Sequence, residues 1–235
     1  MLGWGWTVWL ILLVGIIASA WFIRLQVTAH ARGSSPLVPL ALFRNRNYVA
    51  GSVGIITMGF MAASVMLPVM FWLQTVQGIP AGEAGIIVAP MALVSLLMSP
   101  VAGIMADIIN PRLLGATGFS ILIFSLFAAW WVMQADALAW VLGLPIAGLG
   151  VGQSFIWGSN AATTLRDVSP QLMGAASGVY NTSRQVGSVL GVALVSAVMQ
   201  TGSPEAAIIN SLFAIVVALV VGLVSALCFR NTLQG

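Results

Sequence analysis

A single arginine, Arg184, stands near the middle of a membrane-length apolar segment, fourteen residues on from Pro170. A guanidinium at the centre of a spanning helix costs about 2.5–3.5 kcal/mol on insertion scales. Such a side chain must face protein or a water-filled cavity, where it can meet an anionic group, a carboxylate on another helix or backbone carbonyls. At 100° per residue, Gly174, Ser177, Gly178, Asn181, Arg184, Gln185 and Ser188 share one side of the helix, within about a third of its circumference. This stripe can serve as a polar path, or as a packed seam in which Arg184 is a buried structural residue. The preceding apolar segment, GLPIAGLGVGQSFIWGSNAATT at 143–164, adds Gln153, Ser154, Ser159, Asn160, Thr163 and Thr164. Gln153 and Asn160 can contact a ligand or satisfy neighbouring helices.

Residues for covalent or metal chemistry are missing. The only histidine is His30 and the only cysteine Cys228, which excludes an internal disulfide and any multi-cysteine or multi-histidine metal site within one chain. Glu83, Asp107, Asp136, Asp167 and Glu205 all sit at span ends or in loops. No paired carboxylates, nucleophile–base pair or deeply buried proton-relay acid results, so neither enzyme, metal nor cofactor is expected. All eight basic residues are arginine. Their small number describes no basic surface, and no nucleic-acid partner is expected.

The elements that carry these residues are membrane helices. The chain is 60% hydrophobic and 6% charged, against about 25% charged in soluble domains. Seven segments are long and apolar enough to span a bilayer, at 6–24, 48–75, 83–106, 113–133, 138–162, 171–199 and 206–228. Continuous apolar runs disfavour a β-barrel, and the fold class is an all-α integral membrane protein. Pro80, Pro111, Pro170 and Pro204 open four segments, with Ser169 and Ser203 as N-caps. Arg24, Arg32, Arg44, Arg46, Arg112, Arg166 and Arg230 fall on one side if the spans alternate. That side is cytoplasmic by the positive-inside rule, with the N-terminus outside and the C-terminus inside. MLGWGWTVW reads as an outer loop entering a helix, as a truncated membrane protein would begin. Gly33-Ser34-Ser35-Pro36 is a flexible break, dividing a single helix and linker start at 1–33 from a six-helix unit at 34–235. The following PLVPLALF can lie along the inner surface.

Three further sets have a structural and a functional reading. Gly174/Gly178 and Gly187/Gly191 have the small-xxx-small spacing of close helix packing, and Gly148, Gly150 and Gly152 thin the preceding helix. Pro145 can bend that helix. Gly103, Asp107 and Arg112 in VAGIMADIINPR form either a charge-linked hinge between two helices or an ordinary short loop. Pro68 can kink the second span, where Met66, Met70, Phe71 and Trp72 offer an adaptable apolar wall or simply core.

Four stretches carry a resemblance. PLVPLALFRNRNYVAG, LPVMFWLQTVQGIPAGEAGIIVAPMAL, SPVAGIMADIINPR and GAASGVYNTSRQVGSVLGVAL together look like the C-terminal half of a major facilitator superfamily transporter. More narrowly they resemble its fourteen-helix drug:H⁺ antiporter branch. The resemblance implies a bacterial inner-membrane exporter of small amphipathic or apolar substrates, driven by protons. It also implies an N-terminal half, in the same or another chain, that carries the usual embedded acid. Spans two and five to seven would line a central cavity, with Arg184, Asn181, Gln185, Gln153 and Asn160 as polar lining and Met70 and Trp72 as apolar wall. Gly103, Asp107 and Arg112 match the family's helix-linking loop, while Ile108 and Asn110 depart from it where basic and glycine residues are common. A stand-alone membrane scaffold or a truncated, inactive remnant is the other reading.

Overall fold

A computed structural model of the chain describes residues 6–29, 38–135, 137–201 and 203–230. His30, Arg32, Asp136, the break at 33–36 and the domain boundary expected there lie outside the described residues. Among those described there are eight α-helices and no strand: α1 Trp6–Ala29, α2 Arg46–Ser64, α3 Met66–Phe71, α4 Ala81–Ile108, α5 Pro111–Gln134, α6 Gly143–Leu165, α7 Met173–Val198 and α8 Pro204–Leu227.

The helix boundaries follow local chemistry. The Asn45 side chain accepts from the Tyr48 N–H at 3.1 Å to start α2, and Asn110 accepts from the Arg112 N–H at 3.0 Å, with Pro111 in the first turn of α5. Ser169 and Ser203 hold the expected cap positions on extended backbone, but neither side chain makes the capping bond. α2 and α3 join a π-helical turn, Trp72–Val76, as one span from Arg46 to Val76. The interruption at Val65 lies just before Pro68, which has no N–H to return to the Ser64 carbonyl. Gly78, at φ 66, ends the span in the left-handed region where a Cβ is disfavoured. Pro145 stands near the junction of the 3₁₀ turn Ala139–Leu142 with α6. The apolar run before α2 forms a short 3₁₀ turn, Leu40–Arg44, pinned by Leu42, which is buried with Tyr48, Val168 and Ala176.

Among the described residues, six stretches are long and apolar enough to cross a membrane: Trp9–Gln26, Arg46–Val76, Ala81–Ile108, Pro111–Gln134, Ala139–Leu165 and Glu205–Leu227. The seventh expected span, α7, has the length, at 26 residues. Its polar stripe keeps its composition below that of the others. Exposed Leu96 and Ile104 on α4, Phe124 and Trp131 on α5 and Val217 and Val224 on α8 form apolar faces suited to lipid, as in a multi-pass membrane protein.

The helices after α1 interlock as two triplets. α2 packs chiefly on α7 and α8, and α6 chiefly on α4 and α5; α5 also meets α8, and α2 meets α6. Exchanging α2–α3, α4 and α5 for α6, α7 and α8 maps this pattern onto itself. The first helix of each triplet lies against the second and third helices of the other. Three spans per triplet make the two run in opposite directions, which is the geometry of an inverted repeat. The core between them includes Ile55, Met58, Phe119, Leu122, Ile146 and Leu219, all at 2% exposure or less. α1 is exposed along its described side chains apart from the partly covered Gln26 and Thr28.

One end of the bundle is tied by polar contacts. The Arg46 Nε donates to the Cys228 carbonyl at 2.8 Å, and the Arg230 N–H donates to Asn47 Oδ1 at 2.8 Å. Asn47 Nδ2 also reaches Asp167 Oδ2 at 3.4 Å. A methyl group at Gly115, in the first turns of α5, would touch Ala226 at 3.1 Å. Arg46, Arg112, Asp167 and Arg230 therefore share that end.

Candidate functional site

The polar stripe is built on close helix approach. α7 can press against α2 because Gly187 and Gly191 present no side chain to the Ile56 and Phe60 backbones: a methyl group would lie 2.8 Å from Ile56 C and 2.8 Å from Phe60 Cα. Gly59 does the same from the other side, where a methyl group would sit inside contact of the Arg184 carbonyl oxygen and 3.2 Å from Ser188 Oγ. Ser188 Oγ in turn shares its one proton between Gly59 O at 3.2 Å and Arg184 O at 3.1 Å. The backbone of Arg184 is thus clamped between two helices. The exchange-related pair of helices repeats the arrangement: a methyl group at Gly150 on α6 would reach Ser95 N of α4 at 3.2 Å. Against α5, one at Gly152 would reach Leu122 Cγ at 2.8 Å, and one at Gly148 would meet Ser125. Gly174 and Gly178 differ, since nothing lies within 4 Å of a methyl group at either. Their spacing serves no contact among the described residues.

From this clamp the Arg184 guanidinium extends over the Trp157 ring of α6, with Cζ 5.9 Å from its centroid, within cation–π range. No ion pair to Arg184 is present among the described residues. Asn181 and Gln185 are exposed beside it; Asn181 Nδ2 donates to Ser177 O at 3.0 Å. Beneath this face lies a buried network. Asn160 Nδ2 donates to Gly51 O of α2 and to the Tyr180 hydroxyl of α7, both at 2.9 Å, so one amide ties three helices. The Tyr48 hydroxyl donates to Ala176 O at 3.0 Å, joining the start of α2 to α7.

The structure therefore brings Arg184, Asn181 and Gln185 to one open face, with Asn160 buried at 3% exposure as the strut behind it. Gln153 is buried on α6, at 9% exposure. Trp157 and Tyr180 are the residues the sequence reading missed. Trp157 lies between Gln153 and Asn160 on one helical face, and Tyr180 is four residues before Arg184. An aromatic within each polar stripe was the available signal.

The remaining expected residues lie elsewhere. Met70 lines a separate hollow of about 360 Å³ with Ala63, Met66, Leu67, Phe71, Gln74 and Thr75. Trp72, expected on the wall, is fully enclosed in the core, and its indole N–H has no partner among the described residues; the exposed side chain is its neighbour Phe71. Asp107 and Arg112 are both exposed, and no ion pair joins them among the described residues. α4 ends at Ile108 and Asn110 caps α5. Gly103 faces open space. α8, expected to line the cavity, packs mainly on α5 and α2.

Comparison with known proteins agrees with this architecture. An uncharacterized MFS-type transporter of Mycobacterium tuberculosis is 35% identical over 185 residues, 78% of this chain and 32% of the relative. The tetracenomycin C resistance and export protein of Streptomyces glaucescens is 27% identical over 83% of the chain and 36% of its own length. The lincomycin resistance protein LmrB of Listeria innocua is 27% identical over 85% and 42% respectively. The chain thus spans between about a third and less than half of the length of these relatives. The profile of the Major Facilitator Superfamily matches residues 1–192. With its interlocked helical triplets and membrane-length apolar spans, the chain belongs to the Major Facilitator Superfamily, a family of transporters.

Proposed function

We propose that this chain is the C-terminal part of a secondary active transporter, a proton-coupled exporter of small amphipathic or apolar molecules of the fourteen-helix branch. The observation that carries the reading is the polar face of α7, where Asn181 and Gln185 are exposed and Arg184 is half-buried over Trp157. A polar stripe on a membrane helix needs a facing wall or water. A six-helix partner half packed on it would enclose a midplane cavity. Residues 34–235 form one half in this reading, and 1–33 a separate single helix with its linker. The arginine-rich end faces the cytoplasm of a bacterial inner membrane. The described acids Glu83, Asp107, Asp167 and Glu205 are at helix ends or in loops, so the proton-carrying acid belongs to the partner half. The names of the relatives, resistance and export proteins, support the direction of transport.

The test is accumulation of fluorescent amphiphiles of either charge in pump-deficient bacteria that express this chain alone or with the seven remaining helices, a six-helix partner half and one central helix. The expected result is protonophore-sensitive efflux, reduced by Arg184→Ala at equal membrane expression. Accumulation equal to the empty-vector control in every arm, with both chains in the membrane, overturns the reading. Unchanged efflux with Arg184→Ala removes Arg184 from the pathway.

A further inference from the structure

We infer that the Arg184–Trp157 face is a subsite for an anionic aromatic molecule: a flat apolar ring that carries a carboxylate or sulfonate. The inference rests on the reading of this face as a substrate wall, and it names the class of substrate. Three observations carry it. Arg184 is the one charged residue within the body of the described spans α2–α8, since the described acids and other arginines of this part of the chain lie at helix ends or in loops. No ion pair satisfies it among the described residues, and its side chain rests on an aromatic face, 5.9 Å from the Trp157 centroid. Its backbone carbonyl is packed against Gly59 and accepts from Ser188, which fixes the point on α7 from which the side chain reaches Trp157.

Each feature selects the same chemistry. Once a partner half encloses this face, an unpaired guanidinium attracts an anion and repels a cation strongly, because water then screens the interaction less. Its planar fork matches a carboxylate through two parallel hydrogen bonds. The Trp157 ring, already bearing the guanidinium, cannot also take a cationic ligand without like-charge contact. It can take the edge or face of a neutral aromatic body next to the arginine. Asn181 and Gln185 add neutral hydrogen-bonding groups and no negative charge.

The experiment measures binding of naphthoate, naphthamide and naphthylmethylammonium to the full chain in phosphatidylcholine nanodiscs by equilibrium dialysis. The three probes share one ring and differ in charge. Naphthoate is expected to bind about tenfold more tightly than naphthamide, with the ammonium weakest. Arg184→Gln should bring the three within about twofold of each other. Trp157→Leu should weaken naphthoate and naphthamide alike. Ammonium binding as tight as naphthoate, or an anion preference that survives Arg184→Gln, overturns the inference. Arg184→Lys keeps the charge and loses the fork. It decides the matter if the glutamine variant does not fold, since it must retain the anion preference with several-fold weaker naphthoate binding. A loss of that preference in a folded lysine variant overturns the inference. Transport is separated by efflux of the same probes. Intact binding order without efflux fails the transporter reading alone. Protonophore-sensitive efflux of the ammonium and not of naphthoate keeps that reading and overturns the subsite.

Discussion

Gly187 and Gly178 lie on the same helix, nine residues apart, and alanine should be worse tolerated at the first than at the second. A methyl group at 187 would lie 2.8 Å from Ile56 C and 2.9 Å from Ile56 Cα, and inside contact of the Ile56 carbonyl oxygen, all backbone atoms. Ordinary carbon–carbon contact is about 3.5–4.0 Å, so α7 must move away from α2 by roughly 1 Å. The neighbouring glycine contacts at Gly59 and Gly191 would be disturbed with it. At 178 nothing lies within 4 Å of the added methyl group. Both substitutions gain the same helix preference of alanine over glycine, about 0.5–1 kcal/mol. The difference between the two variants therefore isolates the overpacking cost, about 1–3 kcal/mol. Gly178→Ala should be neutral or slightly stabilising, and Gly187→Ala should be the less stable by that difference. Reversible unfolding of the purified chain in mixed micelles, titrated with a denaturing detergent and followed by tryptophan fluorescence, measures it. Equal midpoints for the two variants would refute the claim that glycine contact sets the α2–α7 distance.

The buried network predicts a second order of effects. Asn160→Ala leaves the Gly51 carbonyl and Tyr180 hydroxyl without their donor, which should cost about 1–3 kcal/mol in the same unfolding assay, whereas Tyr180→Phe removes one bond and should cost about 1 kcal/mol. Tyr180→Phe more damaging than Asn160→Ala would contradict the strut role. The helix starts give a third. Asn110→Ala should cost about 1 kcal/mol because its side chain caps α5, while Ser203→Ala should stay within about 0.5 kcal/mol because its hydroxyl makes no capping bond. Equal losses at the two positions would count against the capping assignment. For efflux, Arg184→Ala should lower the rate at unchanged expression, and loss of protein from the membrane fraction instead would make Arg184 a residue of the fold.

The sequence alone determined that this is a bundle of membrane helices, where those helices run and where the polar groups lie along them. The reason is the solvent: a backbone in hydrocarbon must satisfy its own hydrogen bonds, so a long apolar run has one available structure. Arg184, Asn181 and Gln185 were legible for the same reason, since polar groups in such a run are costly and therefore conspicuous. Helix packing was not legible. In water, apolar side chains point inward, but in a membrane both core and lipid face are apolar. Phe71 and Trp72 are adjacent and chemically alike, and only the fold buries Trp72 and exposes Phe71. The same ambiguity hid the difference between Gly187, which meets a backbone, and Gly178, which meets nothing. It hid Trp157 beneath Arg184 as well, because that contact joins α6 to α7 across 27 positions of sequence. The exchange symmetry of the two triplets was likewise a tertiary decision. It is carried by which helices touch, and small residues allow close approach at many faces without leaving a repeated pattern of residues.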